Sequence, residues 1–347
     1  MDDRSRPACI SSGELLASNT LARGLAILAV VACHIPYAHE FWKPLWLFAS
    51  AGKLAVSVFL FSSGLLLQAG VNRAGGRVDP VAWLKRRFWR IYPVYWISLA
   101  VTLLFAWLLR GRLYDPGALL ANAAGIPMWL RQPVVSGGYT APFWFISLLL
   151  LCYALFLAAC RIRRKEFLAA GALALSCWVL RAGGFMEAAV VAFPSFFAGM
   201  LLADRLAARG EASSDARLHL ALFLPLLAFL GLVFKGRQFF QWGEGMSGWL
   251  DMAGCAGLTI IPWPALVLVA WLQKTLKRAA PAVLRVLLRV SGMAFALYCI
   301  HEPLLAVLEK ASAAGHPWAG LLAYAAAVLL AAGALDAVDR KLRGGAA

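Results

Sequence analysis

The chain has 347 residues, of which 62% are hydrophobic and only 14% charged, and its mean hydropathy is +0.74. A soluble domain carries nearer ~25% charged residues, so the composition excludes one and implies an all-α polytopic integral membrane protein. The length accommodates about ten spans of ~20 residues with short loops and no appended soluble domain. The net charge of +16 does not imply nucleic acid, because the basic residues fall in short connectors between apolar runs, as membrane topology requires.

Residues 1–20 are polar and are expected to form a cytoplasmic tail. The first span, residues 21–38, carries Arg23 at its start and His34 near its far end. Eleven residues at roughly 100° each return to within about 20° of the starting direction and cover some ~16 Å, so the two side chains share one helix face. An ionisable group within a span is costly and marks a functional site by default. The alternative is a snorkelling flank arginine and a hydrogen-bonded core histidine. A cleaved leader is disfavoured by the central histidine and by the exit HIPYAHE, which lacks a small-x-small site.

The second span, 44–70, contains Lys53 and Ser57, and the following connector, 71–90, holds six Lys and Arg. Span 3 covers 91–109. The long connector 110–141 includes a weakly apolar piece, 118–129, bounded by Pro116 and Pro127. That piece is too short to cross and reads as an interfacial or re-entrant helix. Span 4 (142–160) is followed by the basic run 161–165, and spans 5 (167–181) and 6 (187–203) are separated by a turn at Gly183-Gly184. A polar connector, 204–217, precedes span 7 (218–234), and a Gly-rich loop precedes span 8 (249–272). A basic amphipathic connector, 273–289, leads to spans 9 (290–308) and 10 (317–335) and the tail 336–347.

Ten spans place both termini on one side, and 24 of the 33 Lys and Arg lie on that side, which makes both termini cytoplasmic. His34 then sits in the outer half of span 1. His301, twelve residues beyond Arg289 on another outward-running span, lies at a comparable ~18 Å depth. Glu302 and Pro303 next to it imply a local helix distortion. The seven cysteines have no CxxC or Cys/His metal spacing, so they read as free apolar residues and no metal site is expected.

The ordered set of Arg23 and His34, VSVFLFSSGLL (56–66), KRRFWRIYPVYW (85–96), FWFISLLLLCYALF (143–156), FFAGMLLA (196–203) and SGMAFALYCIHEPLL (291–305) resembles the membrane acyltransferase-3 family over nearly the whole chain. The resemblance implies an acyltransferase-3-like transmembrane domain over 21–335. It also implies a plasma (inner) membrane enzyme that moves an acyl group, usually acetyl, from cytoplasmic acyl-CoA to a hydroxyl. The expected acceptor is a cell-envelope glycan or glycolipid precursor; a small secreted natural product is the alternative acceptor. By resemblance Arg23 and His34 correspond to the family's essential Arg and His, and Arg87 and Arg90 to its RxxR motif. The chain departs from the family at Ser57, where many members carry Asp, after Ser147, where an acidic residue is replaced by leucines, and at His301-Glu302-Pro303, where His-Trp-Pro is usual. Glu302 is a candidate substitute for the missing carboxylate.

Acetyl transfer to an alcohol needs a base for the hydroxyl proton, and imidazole, titrating near neutrality, suits it. His34 is the candidate base, with His301 as a possible second catalytic group. Coenzyme A brings phosphates that favour guanidinium forks. Arg87 and Arg90 share a helical face at the cytoplasmic boundary, with Arg86 one turn before Arg90; topology alone is the other explanation of this cluster. Lys53 and Ser57 are candidates for binding the acceptor or the thioester carbonyl, with an ion pair, for instance to Glu302, as the structural alternative for Lys53. Trp144, Tyr139, Trp129 and Trp42 read as an outer aromatic belt or as sugar-stacking surfaces. Glu187, Glu244 and Asp251 fall at outer span ends. A transporter or flippase is the rival class, but it commonly shows two similar halves with paired broken helices, and no internal repeat is visible.

Overall fold

The computed structural model describes residues 9–48, 51–182, 187–209, 213–240 and 244–344. Helices α1 (Ser12–Ala17) and α2 (Asn19–His34) open the chain, and two 3-10 segments, Ile35–Tyr37 and Glu40–Phe48, lead to α3 (Ala51–Arg73) and α4 (Pro80–Arg110). The short α5 (Pro116–Ala123) precedes α6 (Trp144–Ala159), α7 (Lys165–Ala182) and α8 (Glu187–Arg209). Next come α9 (Ala216–Phe240), α10 (Glu244–Ile260), α11 (Pro262–Ala279) and α12 (Pro281–Gly292). Two short pieces, α13 (Ala294–Ile300) and α14 (Leu305–Ala313), come before the last helix, α15 (Pro317–Gly344). The described strands are β1 (Cys9–Ser11) and β2 (Ser213–Asp215), paired antiparallel with Ile10 opposite Ser214.

The protein is therefore an all-α polytopic membrane protein, but with fewer spans than the ten expected. Among the described residues seven helices are long and apolar enough to cross, or eight if α12 and α13, bent by 58°, count as one. The shortfall has two causes. Helix α6 has 16 residues, roughly 24 Å against a hydrocarbon core of ~30 Å. Helix α7 carries Lys165, Glu166 and Arg181 in 18 residues. Span 9 is not continuous either: it breaks at Met293 after Gly292 and again over 301–304 at Pro303. The turn expected at Gly183-Gly184 lies outside the described residues. Of the segment expected as a Gly-rich loop after span 7, the part up to Phe240 continues α9, α10 begins at Glu244, and residues 241–243 lie outside the described residues.

By its contacts the chain divides into two compact units that alternate along the sequence. The first takes the described residues of Met1–Ala26, Ser50–Arg77 and Leu155–Gly292. Its centre is the crossing of α3 and α8. A Cβ on Gly64 would lie 1.9 Å from the Phe196 carbonyl oxygen, and one on Gly199 would lie 2.1 Å from that of Phe61. The two glycines, each three residues after a phenylalanine, thus let the backbones touch reciprocally, as small residues do in membrane helix pairs. Below the crossing, Asp204 Oδ1 accepts from Gln68 Nε2 and Asn72 Nδ2, both at 2.9 Å. Its other oxygen lies 3.6 Å from the ammonium of Lys165, a buried lysine that also donates to the carbonyls of Cys160 and Ile162. The described part of the expected tail, residues 9–20, is folded. Ser11 and Glu14 form a reciprocal capping box on α1, and Lys274 of α11 binds Glu14 at 3.1 Å and the Cys9 carbonyl at 2.9 Å.

The second unit takes the described residues of Ile27–Ala49, Val78–Ala154 and Met293–Ala347. Helix α4 begins at Pro80, capped by Asp79 on the amides of Val81 and Ala82, and ends at Gly111 in the left-handed conformation. Its 31 residues make it roughly 46 Å long, so the basic stretch 85–90 is the first part of the spanning helix itself and not a separate connector. Helix α5 is too short to cross, as expected, and its last carbonyls are capped from α4. Tyr92 donates to Ala124 at 2.8 Å, Trp96 to Ala123 at 2.8 Å, and Tyr95 to Asn122.

Replacing Gly199 with leucine should drive a side chain into the Phe61 carbonyl and cost more than the ~1–3 kcal/mol of ordinary overpacking. Thermal melting of the detergent-solubilised protein is expected to fall well below wild type, whereas Gly70→Leu, at a glycine with open space around it, should leave it unchanged.

Candidate active site

The site grows out of the second break in the helical run 281–313. Helix α13 ends at His301, the following turn holds Glu302 and Pro303, and α14 restarts at Leu305. His301 is completely buried. Its Nδ1 lies 2.8 Å from the carbonyl oxygen of Tyr298, and its Nε2 lies 2.9 Å from Nδ1 of His34, at the end of α2. The two rings overlap with centroids 5.0 Å apart and planes 24° apart. The matched depths counted along the sequence have brought the two histidines into direct contact.

This chain of contacts fixes the protons. A carbonyl only accepts, so Nδ1 of His301 carries the hydrogen, and in the neutral ring Nε2 is then the acceptor. His34 must therefore donate from Nδ1, which leaves its Nε2 lone pair free. The arrangement holds the half-buried His34 in the tautomer of a base.

Glu302 has a different place from the one expected. One carboxylate oxygen accepts from the Gly137 amide at 2.6 Å, and the other from the amides of Tyr139 and Thr140 at 3.1 and 3.0 Å. The carboxylate thus holds the 137–140 loop onto the turn that carries His301, instead of binding the imidazole of His34. A Cβ on Gly137 would meet Glu302 Oε2 at 2.8 Å, and Gly138 has φ +110°, a conformation open to glycine. At the far side of the loop, Arg110 binds both Glu309 oxygens at 3.0 Å and lies over the Tyr139 ring, whose hydroxyl donates to Glu309. Burial, then the Glu309 hydrogen bond, push the Tyr139 phenol above its ordinary range.

The remaining candidates divide. Arg23 lies in the first unit, its guanidinium 5.1 Å from the Phe59 ring centroid. Arg87 is stacked against Trp83 and Tyr153 at 5.4 and 5.6 Å, while Arg86 and Arg90 are exposed. Lys53 stands in the first turn of α3 and not nine residues into a span, because the segment around Pro44 is 3-10 helix; it is ion-paired with Glu187 and not with Glu302. Ser57 is fully buried, and its hydroxyl donates to the Lys53 carbonyl of its own helix at 3.0 Å. Trp144 is half-buried beside Phe145. One member of the expected aromatic belt is internal: Trp42 is buried and donates to Ser312 at 3.1 Å, whereas Trp129 is exposed while its indole N–H donates to the Ser147 carbonyl at 2.9 Å. Sequence reasoning missed Tyr298, whose carbonyl sets the tautomer, and the 137–140 loop, for which the Gly137-Gly138 pair before Tyr139 was the available signal.

A polytopic helical membrane protein with two hydrogen-bonded histidines at a helix break is the class that fold and site define. The family model described as an acyltransferase domain matches residues 17–336, and the chain belongs to that family, the acyltransferase-3 family. It is also similar to acyltransferase MdmB of Streptomyces mycarofaciens, with 29% identity over 161 residues, 43% of this chain and 40% of that protein. The match thus spans about two fifths of that relative's length. No solved structure matches the chain.

Removing the Glu302 carboxylate leaves three loop amides without their acceptor. Glu302→Ala is expected to lower stability by about 3 kcal/mol and to speed hydrogen exchange at residues 137, 139 and 140, with Glu302→Gln, which keeps one carbonyl oxygen, between the two.

Proposed function

We propose that the protein is an O-acyltransferase of the plasma (inner) membrane that moves an acyl group, most simply acetyl, from acetyl-CoA or another acyl-CoA to a hydroxyl of a cell-envelope glycan or glycolipid precursor. The observation that carries the reading is the His301–His34 hydrogen bond, with the His301 tautomer set by the Tyr298 carbonyl. In this reading the acceptor hydroxyl gives its proton to His34 Nε2 as its oxygen attacks the thioester carbonyl. The imidazolium of His34 keeps its Nδ1 hydrogen on His301 Nε2, which spreads the new charge without a buried carboxylate. The carbon–sulfur bond then breaks, and the thiolate of coenzyme A takes the proton back from His34. His301 is a positioning residue here, playing toward His34 the orienting role that an aspartate plays in hydrolase triads. The donor's phosphates are assigned to the basic start of α4, with Arg90 and Arg86 on the exposed side and Arg87 held between rings. A catalytic or anion-binding role for Arg23 rests on the family resemblance and on its place on the His34 face of α2.

The test is complementation. Cell-envelope glycans from cells with and without the gene should differ by the mass of an acetyl group, and His34→Ala, at normal protein level, should reduce transfer about 10²- to 10⁴-fold. His301→Ala should cost less than His34→Ala, with His301→Gln retaining more activity because its carbonyl oxygen can still accept from His34 Nδ1. A His34→Ala protein acetylating at the wild-type rate overturns the reading.

Arg90→Ala should raise KM for the acyl-CoA donor roughly tenfold, the loss of one charged hydrogen bond, with little change in kcat. Steady-state kinetics over a range of donor concentrations measures this, and an unchanged KM would assign Arg90 to topology.

A further inference from the structure

A cavity of about 420 Å³ lies within the first unit, whereas the histidine pair belongs to the second. Its size falls in the ~300–1,000 Å³ range of small-molecule sites. One face of α8 forms a long wall: Ala198, Leu202 and Arg205 recur at the three- and four-residue steps that align side chains on a helix. From Ala198 to Arg205 this wall runs roughly 10 Å. The Ser195 hydroxyl donates to the Leu258 carbonyl at 3.1 Å, which sets α8 against α10 and brings Thr259 and Ile260 to the Ala198 end of the lining. Phe61, whose backbone meets Gly199 at the α3–α8 crossing, lines the same end. The Thr259 hydroxyl donates to the Cys255 carbonyl of its own helix at 2.8 Å, so this end presents hydrocarbon. At the other end Arg205 stands four residues from the end of α8, and Ser214, the remaining polar residue of the lining, belongs to β2, the next element of the chain. The carboxylates nearest to these two in sequence are engaged elsewhere: Asp204 with Gln68, Asn72 and Lys165, and Asp215 with the Arg217 amide. Ile260 and Trp263, 59% and 43% exposed, complete the lining on the helix surface.

The cavity is thus apolar along its length, with a cation near the end of the candidate span Ala189–Ala208. Water is a poor occupant of apolar walls, a soluble anion would leave the hydrocarbon unmet, and a neutral hydrocarbon would leave the guanidinium unmet. An amphiphile with an anionic headgroup meets both, and a bilayer supplies it at the level where Arg205 sits. Lipid tails are as apolar as the protein walls, so chain contacts discriminate little. The choice among lipids then falls to the headgroup, where a basic residue at the membrane surface attracts anionic lipid. We infer that the cavity holds one acyl chain of an anionic phospholipid, with its phosphate at Arg205 and Ser214. A chain seated there touches α3, α7, α8, α10 and α11 at once, through Phe61, Ala169, Ala198, Ile260 and Trp263. It braces the first unit and takes no part in acyl transfer.

The test is native mass spectrometry of the full-length detergent-solubilised protein, titrated with phosphatidylglycerol and with phosphatidylcholine of the same chain length. Wild type should retain one phosphatidylglycerol about fivefold more tightly than phosphatidylcholine, the effect of one arginine beside the headgroup. Arg205→Gln should bring the two affinities together. Ala169→Leu, which extends a lining side chain into the cavity from α7, should abolish retention of that one lipid, and Ala198→Leu should do the same from α8. Thermal melting shows which of the two cavity-filling variants is folded, so that either one can decide. Equal affinities in wild type, or a preference that survives Arg205→Gln, overturn the proposal. Undiminished retention in a folded cavity-filling variant places the lipid elsewhere and overturns it as well. Palmitoyl-CoA retained in preference to phosphatidylglycerol overturns it in favour of the acyl chain of a donor.

Discussion

In hydrocarbon every backbone amide and carbonyl must find a partner inside the protein, and an interrupted helix is tolerated only where side chains or neighbouring segments supply that partner. The second unit is arranged around this constraint. Helix α13 stops at His301, and the turn that follows is held by a carboxylate taking three amides from a loop more than 160 residues away in sequence. Helix α5 ends between Asn122 and Ala124, and three aromatic donors of α4 meet its last carbonyls. At α5 the side chains substitute for missing helical bonds, and at the break Glu302 meets the amides of the irregular loop packed against it. The break is what brings an imidazole, rather than a helix flank, to the end of α2.

The imidazole pair is a way of burying two titratable rings without a carboxylate between them. A buried ion pair would require strong compensation for desolvation, whereas two neutral rings cost little to bury once their nitrogens are bonded. The carbonyl of Tyr298 removes the choice of tautomer, and the order of donation passes through His301 to His34. The acidic residue that the family resemblance places after Ser147 is absent, and the Ser147 hydroxyl instead donates to the Gly125 carbonyl at 2.9 Å. Glu302 is the nearest carboxylate in sequence to the imidazole pair, but it accepts from the amides of the loop.

Much of this was legible from spacing. The shared face of Arg23 and His34, the equal depths of His34 and His301, the distortion at Pro303 and the non-spanning 118–129 piece all follow from rise per residue and proline chemistry, because they concern one helix at a time. What spacing did not supply is partner choice. Lys53 pairs with Glu187, 134 residues on, and Glu302 takes amides from a loop that carries no apolar period. The span count failed for a related reason: hydropathy measures composition, and α6 and α7 are apolar segments whose length or charge falls short of a bilayer crossing. The blocks that carried the family resemblance prove to be contact surfaces as well, with Gly64 and Gly199 in two of them forming the reciprocal crossing and Tyr92, Tyr95 and Trp96 in another capping α5.

Aromatic rings take part in holding several arginines of this protein. Arg23 lies over Phe59, and Arg87 lies against both Trp83 and Tyr153. An aromatic face attracts a guanidinium through its quadrupole, worth about 2 kcal/mol when desolvated, and it engages the flat face of the group. The five N–H bonds lie in the guanidinium plane and point outward from its edge. A ring on the face therefore offsets part of the burial cost and stiffens the side chain while leaving edges directed elsewhere. A carboxylate partner would do the reverse, occupying the edge and cancelling the charge, as Glu309 does for Arg110. Arg110 carries both kinds of contact, the Tyr139 ring beneath its guanidinium and the Glu309 carboxylate at its edge, and is thereby committed to holding the 137–140 loop.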